Sequence, residues 1–184
     1  GVHKLIGCVR RTQGLMVQPG NPLGLQGLAD LVPHAGRAPR FLNRQSGSGT
    51  RLLLDHLLAE QGLAAEAIPG WFQPPEDSHL AVAAALASGA ADAGPGIEAA
   101  ARAFGLGFVP LIDEDYFLVC LKDALEHPAV QQLCEALAGG PMHAAIAALP
   151  GYAMNAPGDV LSLTRALPWW HFRTRKPAQT ESHL

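Results

Sequence analysis

The sequence predicts an α/β fold, with a mostly parallel sheet flanked by helices. Short apolar, β-branched runs alternate with helical patterns of about 10–12 residues, which is the signature of strand–helix units. Clusters of Gly, Pro, Ser and Asn separate those runs and act as turn formers. The chain has 184 residues, 48% hydrophobic and 16% charged. That charge content is well below the ~25% of an ordinary domain, so the chain can bury a core. Its length suits one domain or two small lobes.

The first apolar run, Leu5-Ile6-Gly7-Cys8-Val9, has strand length, and Gly14-Leu15-Met16-Val17 is a second such run. Pro19-Gly20-Asn21-Pro22 is a turn, a short helix is expected over 25–31, and Arg40-Phe41-Leu42-Asn43 is a third strand. The clearest helix covers 50–61. Leu53/Leu57 and Leu54/Leu58 form one apolar stripe, Arg51 and Asp55 sit one turn apart beside it, and Gly62 stops it. A helix rich in small residues is expected over 78–88, closed by Gly89. Ala91-Asp92-Ala93-Gly94 forms a short strand ending at the turn Gly94-Pro95-Gly96, and a helix over 97–104 follows. Strands over 108–112 and 116–120 flank Asp113-Glu114-Asp115, which is expected as a solvated turn. Helices resume at Pro128, through Leu137, and again over 142–149. The tail, 163–184, is locally basic and then polar, and is expected to be loosely ordered.

Composition excludes several functions. A net charge of −3 provides no field for drawing in nucleic acid. No run approaches the ~18 apolar residues of a membrane span, so no membrane partner is expected. The three cysteines show no Cys-x-x-Cys spacing and are expected as free thiols in a reducing compartment. The first residues lack a secretion signal, which points to the cytoplasm. The eight histidines form no His-Glu-x-x-His helix, and there is no Gly-x-Ser-x-Gly elbow. No catalytic residue, metal ligand or cofactor is assigned.

One stretch carries chemistry: Asn43-Arg44-Gln45-Ser46-Gly47-Ser48-Gly49-Thr50-Arg51, between a strand and the start of the Leu-striped helix. A helix start presents unpaired N–H groups and the positive end of the macrodipole. The glycines permit close backbone approach, Ser46, Ser48 and Thr50 add hydroxyls, and Arg44 adds charge, giving an anion cradle. Ser48 or Thr50 also suits helix capping, which is compatible with that role. No lysine follows Gly49, so this is not a P-loop. Ser78 and His79 open the second helix, and Gly94-Pro95-Gly96 is a third loop at the same edge. Helix starts on one side of a sheet face one crevice.

The order of Arg11-Thr12-Gln13-Gly14-Leu15, Pro19-Gly20-Asn21-Pro22-Leu23, Asn43-Arg44-Gln45 with Gly47-Ser48-Gly49-Thr50-Arg51, Ser78-His79-Leu80-Ala81-Val82-Ala83, Ala91-Asp92-Ala93-Gly94 and Phe108-Val109-Pro110-Leu111 resembles a bacterial family. It is the periplasmic-binding-protein-like (type 2) domain of regulators, related to the molybdate-binding proteins of ABC importers. The resemblance implies a ligand-binding domain over 1–162, with a second lobe over about 15–121 and an incomplete first lobe. It implies a sensor for a small anion, a molybdate- or tungstate-type oxyanion or an organic acid, acting in transcription regulation. Ser46, Gly47, Ser48, Gly49 and Thr50 would hold the ligand from one side, Ser78 and His79 from a second, and the loop containing Gly94 and Gly96 from a third. Any contact with DNA would come from a domain outside these residues, and a homodimer is a further expectation. Two alternatives stay open. One is an enzyme on the same fold acting on a small carboxylate, with His79 or Glu114 as acid or base. The other is a degenerate interaction domain without a ligand.

Overall fold

The computed structural model describes residues 2–167. In chain order the elements are β1 (His3–Val17), α1 (Gly49–Glu60), α2 (His79–Ala87), β2 (Ala93–Ile97), α3 (Glu98–Ala103), β3 (Gly107–Leu121), α4 (Pro128–Ala138), α5 (Gly140–Ala147), β4 (Tyr152–Met154), β5 (Val160–Leu161) and α6 (Leu163–Ala166). The class is α/β as expected: an open sheet flanked by helices. The chain lining the sheet is more continuous than its polarity suggests. The runs 5–9 and 14–17 belong to one strand, β1, and 108–112 and 116–120 belong to another, β3.

Cross-strand charge pairing explains why neither strand breaks. Asp113-Glu114-Asp115 is not a turn; its residues lie opposite Thr12, Arg11 and Arg10. Thr12 Oγ1 donates to Asp113 at 2.7 Å, Arg10 Nε donates to Asp115 at 2.6 Å, and Arg11 is paired with Glu114. Opposite charges directly across a ladder stabilise it by about 0.2–1 kcal/mol per pair.

β1 is the central strand. β3 runs along one side of it, while β2, β4 and β5 share the other side beside 13–17, 9–11 and 5–6. Each of these ladders is antiparallel, which corrects the expected parallel majority. Parallel pairing occurs at the bridges Phe41–Ala93 and Arg44–Glu76, so the sheet is mixed. The long β1 sets this order: its neighbours return along it, instead of crossing over through helices. The expected strand over 40–43 is reduced to such bridges, and the helix over 25–31 to a single 3-10 turn, Leu28–Leu31. The strand predicted at 91–94 instead runs through Gly94-Pro95-Gly96 to Ile97.

The core lies at the 13–17 end of β1. Side chains of a strand alternate between faces. Leu15 and Val17 therefore join Leu54, Leu57, Leu58, Phe41 and Trp71 on the α1 side, while Met16 joins Val82, Leu86 and Ala101 on the α2 and α3 side. The Leu stripe of α1 is thus the buried face expected, with Leu54 and Leu58 each 2% exposed. Burial of each such leucine is worth about 1.5–3 kcal/mol. Phe41 and Trp71 stack at 5.3 Å beneath it. Arg51 bonds Asp55 at 3.0 Å and lies over the Trp71 ring at 4.9 Å, turned toward that layer.

At the opposite end, Val2, Val119, Leu121 and Val160 are exposed. The three cysteines are free and half-buried. Among the described residues no helix is long and apolar enough to cross a membrane. The tail from 168 onward lies outside the described residues; its first part, 163–166, is the short helix α6, capped by Ser162.

Candidate functional site

The cleft at the waist of β1 has a volume of about 450 Å³. Its walls are two helix starts. Ser48, in extended backbone at φ −68° and ψ 145°, accepts a hydrogen bond from the Arg51 N–H at 3.2 Å, and its hydroxyl donates to the Gln45 carbonyl at 2.9 Å. Ser78 does the same for α2, accepting from the Ala81 N–H at 3.1 Å. These caps satisfy one orphan N–H at each end. The first N–H groups of a helix otherwise have no intrahelical partner. Gly49, Thr50, Ser78 and His79 all line the cleft, so both positive helix ends border the same space.

Arg44 bridges the two walls. One of its Nη atoms donates to the Asp77 carbonyl at 2.8 Å, and its Nε has no hydrogen-bond partner among the described residues. The side chain is drawn inward, and the residue is 9% exposed. Burial pushes its pKa down; Asp77 opposes this and Arg11 adds to it. His79 feels the same surroundings: burial first, then Arg44 and Arg11, hold its pKa down at about 4. Its Nδ1 also has no hydrogen-bond partner among the described residues.

The floor is the sheet. Arg11 and Gln13 share a face of β1, and Glu114 and Tyr116 share the facing side of β3, with Arg11 directly opposite Glu114. The Arg11 guanidinium is paired with Glu114 and lies 4.6 Å from the centre of the Tyr116 ring. Gln13 is 3% exposed, and its Oε1 has no partner among the described residues.

Charge in the cleft is shared among four side chains and two helix ends. Two guanidiniums, Arg11 and Arg44, and two carboxylates, Glu114 and Asp77, line the cleft; Glu114 pairs with Arg11, while Arg44 meets the Asp77 backbone carbonyl. Two helix ends add partial positive charge. Buried cations with spare N–H groups hydrogen-bond anions more strongly than neutral donors do. Among the described residues, no group of three or more His, Cys, Asp or Glu side chains is arranged to hold a metal ion.

Six residues expected from the sequence meet here: Arg44, Ser48, Gly49, Thr50, Ser78 and His79. Ser46 and Gly47 lie on the exposed turn before α1 and do not line the cleft. Gly94 and Gly96 are buried inside β2, paired with Met16 and Gly14, and also lie outside the lining. A Cβ on Gly94 would meet Val82 at 2.6 Å and the Leu42 carbonyl oxygen at 2.7 Å, so this glycine permits packing of α2 on the sheet. Arg11, Gln13, Asp77 and Tyr116 are not among the site residues the sequence offers, and Glu114 is offered only as an acid–base group of the enzyme alternative. Their signal was alternation, polar residues two apart on what is otherwise a core strand, and the run of charges at 113–115 concealed it.

Comparison with known proteins bears on what this cleft belongs to. The family model of the PBP superfamily domain matches residues 1–138. An uncharacterized protein of Bacillus subtilis, YvgK, is 39% identical over 158 residues, covering 85% of this chain and 49% of that protein. The chain thus spans about half the length of this curated relative. Among solved structures, the effector-binding domain of QuiR in complex with shikimate superposes with a TM-score of 0.53 at 16% identity, covering 70% of this chain and 60% of that one. A putative L-cystine ABC transporter protein from Listeria monocytogenes gives 0.49 at 17% identity, covering 73% and 59%.

Proposed function

This chain belongs to the PBP superfamily domain family, and from that premise we propose that it binds a small anion in the cleft between the α1 and α2 starts and acts as a sensor domain. The observation that carries the proposal is Arg44, a buried cation whose Nε has no partner among the described residues, beside two helix N-termini. The ligand belongs to the class of molybdate-like oxyanions or small organic acids. The likeness in fold to an effector-binding domain supports a regulatory role, in which any DNA contact comes from outside these residues. The exposed Val119 and Leu121 at the far end of the sheet fit the expectation of a homodimer, which the mass in solution tests.

The decisive experiment is a thermal-shift screen of molybdate, sulfate and small carboxylates. A ligand at 100 times its Kd stabilises the fold by ~2.7 kcal/mol. Thr50→Ala with Arg44→Gln should shrink the shift. A screen in which no anion raises the Tm overturns the proposal.

A second reading has one observation in its favour. His79 and Glu114 both line the cleft, as an enzyme acting on a small carboxylate would require. Glu114 is committed to Arg11, however, which leaves His79 as the free acid–base group. Turnover of a bound acid, abolished by His79→Gln, would establish this reading.

A further inference from the structure

β3 is an edge strand. Among the described residues it pairs with β1 alone, so the N–H and C=O groups along its outer side have no strand beside them. Such an edge is a template for another chain, and proteins blunt it with charge, proline or a covering element. The first half of β3 is blunted in this way, by Pro110 and by Asp113, Glu114 and Asp115. The second half, Tyr116-Phe117-Leu118-Val119-Cys120-Leu121, has neither charge nor proline. Tyr116, Val119 and Leu121 on it are exposed, Val119 at 64%. Its ladder with β1 is continuous from Tyr116, opposite Val9, to Leu121, opposite His3, so this half is held as a strand to its end. An uncharged, aromatic and β-branched run of this length pairs readily with a further strand.

We infer that this edge is covered by a second copy of the chain, whose β3 adds antiparallel along residues 116–121 with Leu118 facing its own counterpart across a two-fold axis. The inference rests on the homodimer reading given above and places its interface. Side chains directly opposite in an antiparallel pair point to the same face. A two-fold axis through the seam therefore makes one residue face itself. Centred on Phe117, the seam sets Asp115 against Val119 and Asp113 against Leu121, carboxylates against apolar side chains. Centred on Val119, it sets Lys122, the first residue past the strand, against Tyr116 and provides no opposite-charge pair. Centred on Leu118, it sets Phe117 against Val119 and Glu114 against Lys122, each twice by symmetry. Aromatic–β-branched and opposite-charge pairs are the ones that stabilise a ladder. Asp115 then faces Leu121 and keeps Arg10 of its own chain as partner. Glu114 and Tyr116 also line the cleft, so the seam runs along its rim.

Sedimentation equilibrium and hydrogen exchange on the full chain provide the test. The expected result is a concentration-dependent dimer in which amides of 116–121 gain protection as the dimer forms. Val119→Lys puts a charge on an exposed edge position, so the fold should persist while the dimer Kd rises by about tenfold. Lys122→Glu sets like charges across the seam and should also raise the Kd. In a chain carrying Cys120→Ser, Leu118→Cys should give a disulfide-linked dimer on mild oxidation, and Val119→Cys should not. A mass that stays monomeric at every concentration refutes the homodimer and the seam together. A dimer whose Kd is unchanged in Val119→Lys refutes the seam and leaves the dimer standing. Protection of 116–121 that is independent of concentration means that a segment of the same chain covers the edge, and overturns the inference. Linking through Val119→Cys in place of Leu118→Cys overturns it as well. The exchange measurement needs no variant, and the thermal-shift screen tests anion binding separately from all of these outcomes.

Discussion

Arg44 donates to the backbone carbonyl of Asp77 at 2.8 Å, one residue before the cap of α2. The bond is reinforced by the parallel bridge between Arg44 and Glu76. The strand-like segment that leads into α1 is therefore fastened to the segment that leads into α2. Two helix starts, far apart in sequence, hold one geometry because a backbone bridge and a buried side chain both span them. The same side chain carries the charge that an anion would meet.

Arg44→Met separates these roles. It removes a hydrogen bond and also a buried cation whose desolvation is unfavourable, so the unliganded Tm should change little. Anion affinity should fall by about 1.5–3 kcal/mol, roughly ten- to a hundredfold. Arg44→Lys keeps the charge but not the fork and should fall between. Calorimetric titration of wild type and both variants checks the order; affinity unchanged in Arg44→Met would remove Arg44 from the site.

His79 gives a pH signature. Its pKa is held at about 4 in the fold, below its ordinary value of 6.5, by burial and then by Arg44 and Arg11. Between those values the unfolded chain binds more protons than the folded one, so stability rises with pH. The fold should lose stability as pH falls from about 6.5 toward 4 and should be insensitive to this group above 6.5. His79→Gln should flatten that part of the Tm–pH curve. A bound anion favours the protonated ring, so anion binding near pH 5 should take up a proton, which calorimetry in buffers of different ionisation enthalpy would detect.

The two buried glycines of β2 should respond unequally to alanine. At Gly94 the new Cβ meets the Leu42 backbone oxygen at 2.7 Å and Val82 at 2.6 Å; at Gly96 it meets the flexible end of Met16 at 2.5 Å. A backbone atom cannot rotate away, whereas a methionine can. Gly94→Ala should cost about 1–3 kcal/mol in urea unfolding, and Gly96→Ala distinctly less. If both variants kept full stability and lost anion binding instead, these glycines would return to the site.

The contrast between α1 and β3 shows what was legible. The stripe Leu54, Leu57 and Leu58 follows helical spacing, and burial of a continuous face makes such spacing predictive. The cleft wall was legible as far as it is local: a capping serine, glycine and threonine at one helix start. β3 was misread because Asp113, Glu114 and Asp115 form an acidic run that resembles a break. Their reason for being in a strand lies about a hundred residues away, in Arg10, Arg11 and Thr12. Gln13 stays hidden for the same reason, and Glu114 is legible only as an isolated acid–base candidate, since a floor formed by two strands depends on their pairing. Gly94 and Gly96 depart from the expected loop: a Gly-Pro-Gly sequence looks like a turn, whereas here it lies in β2, where Gly94 permits close packing of α2 and Gly96 faces Met16.

Glu114 supplies the most direct test of charge balance. It lies opposite Arg11 and cancels much of that cation's field in the cleft. Glu114→Gln keeps an acceptor for the guanidinium but removes the negative charge. If the cleft takes an anion, affinity should increase, by about 1 kcal/mol or roughly fivefold at low ionic strength. The gain should shrink as salt screens it. The unliganded fold should lose a comparable ~1 kcal/mol, because the ion pair at the sheet surface is weakened. Binding and stability thus move in opposite directions, which a nonspecific loss of structure cannot imitate. A drop in anion affinity in Glu114→Gln would instead mean that Glu114 positions Arg11 for the ligand and that its alignment outweighs its charge.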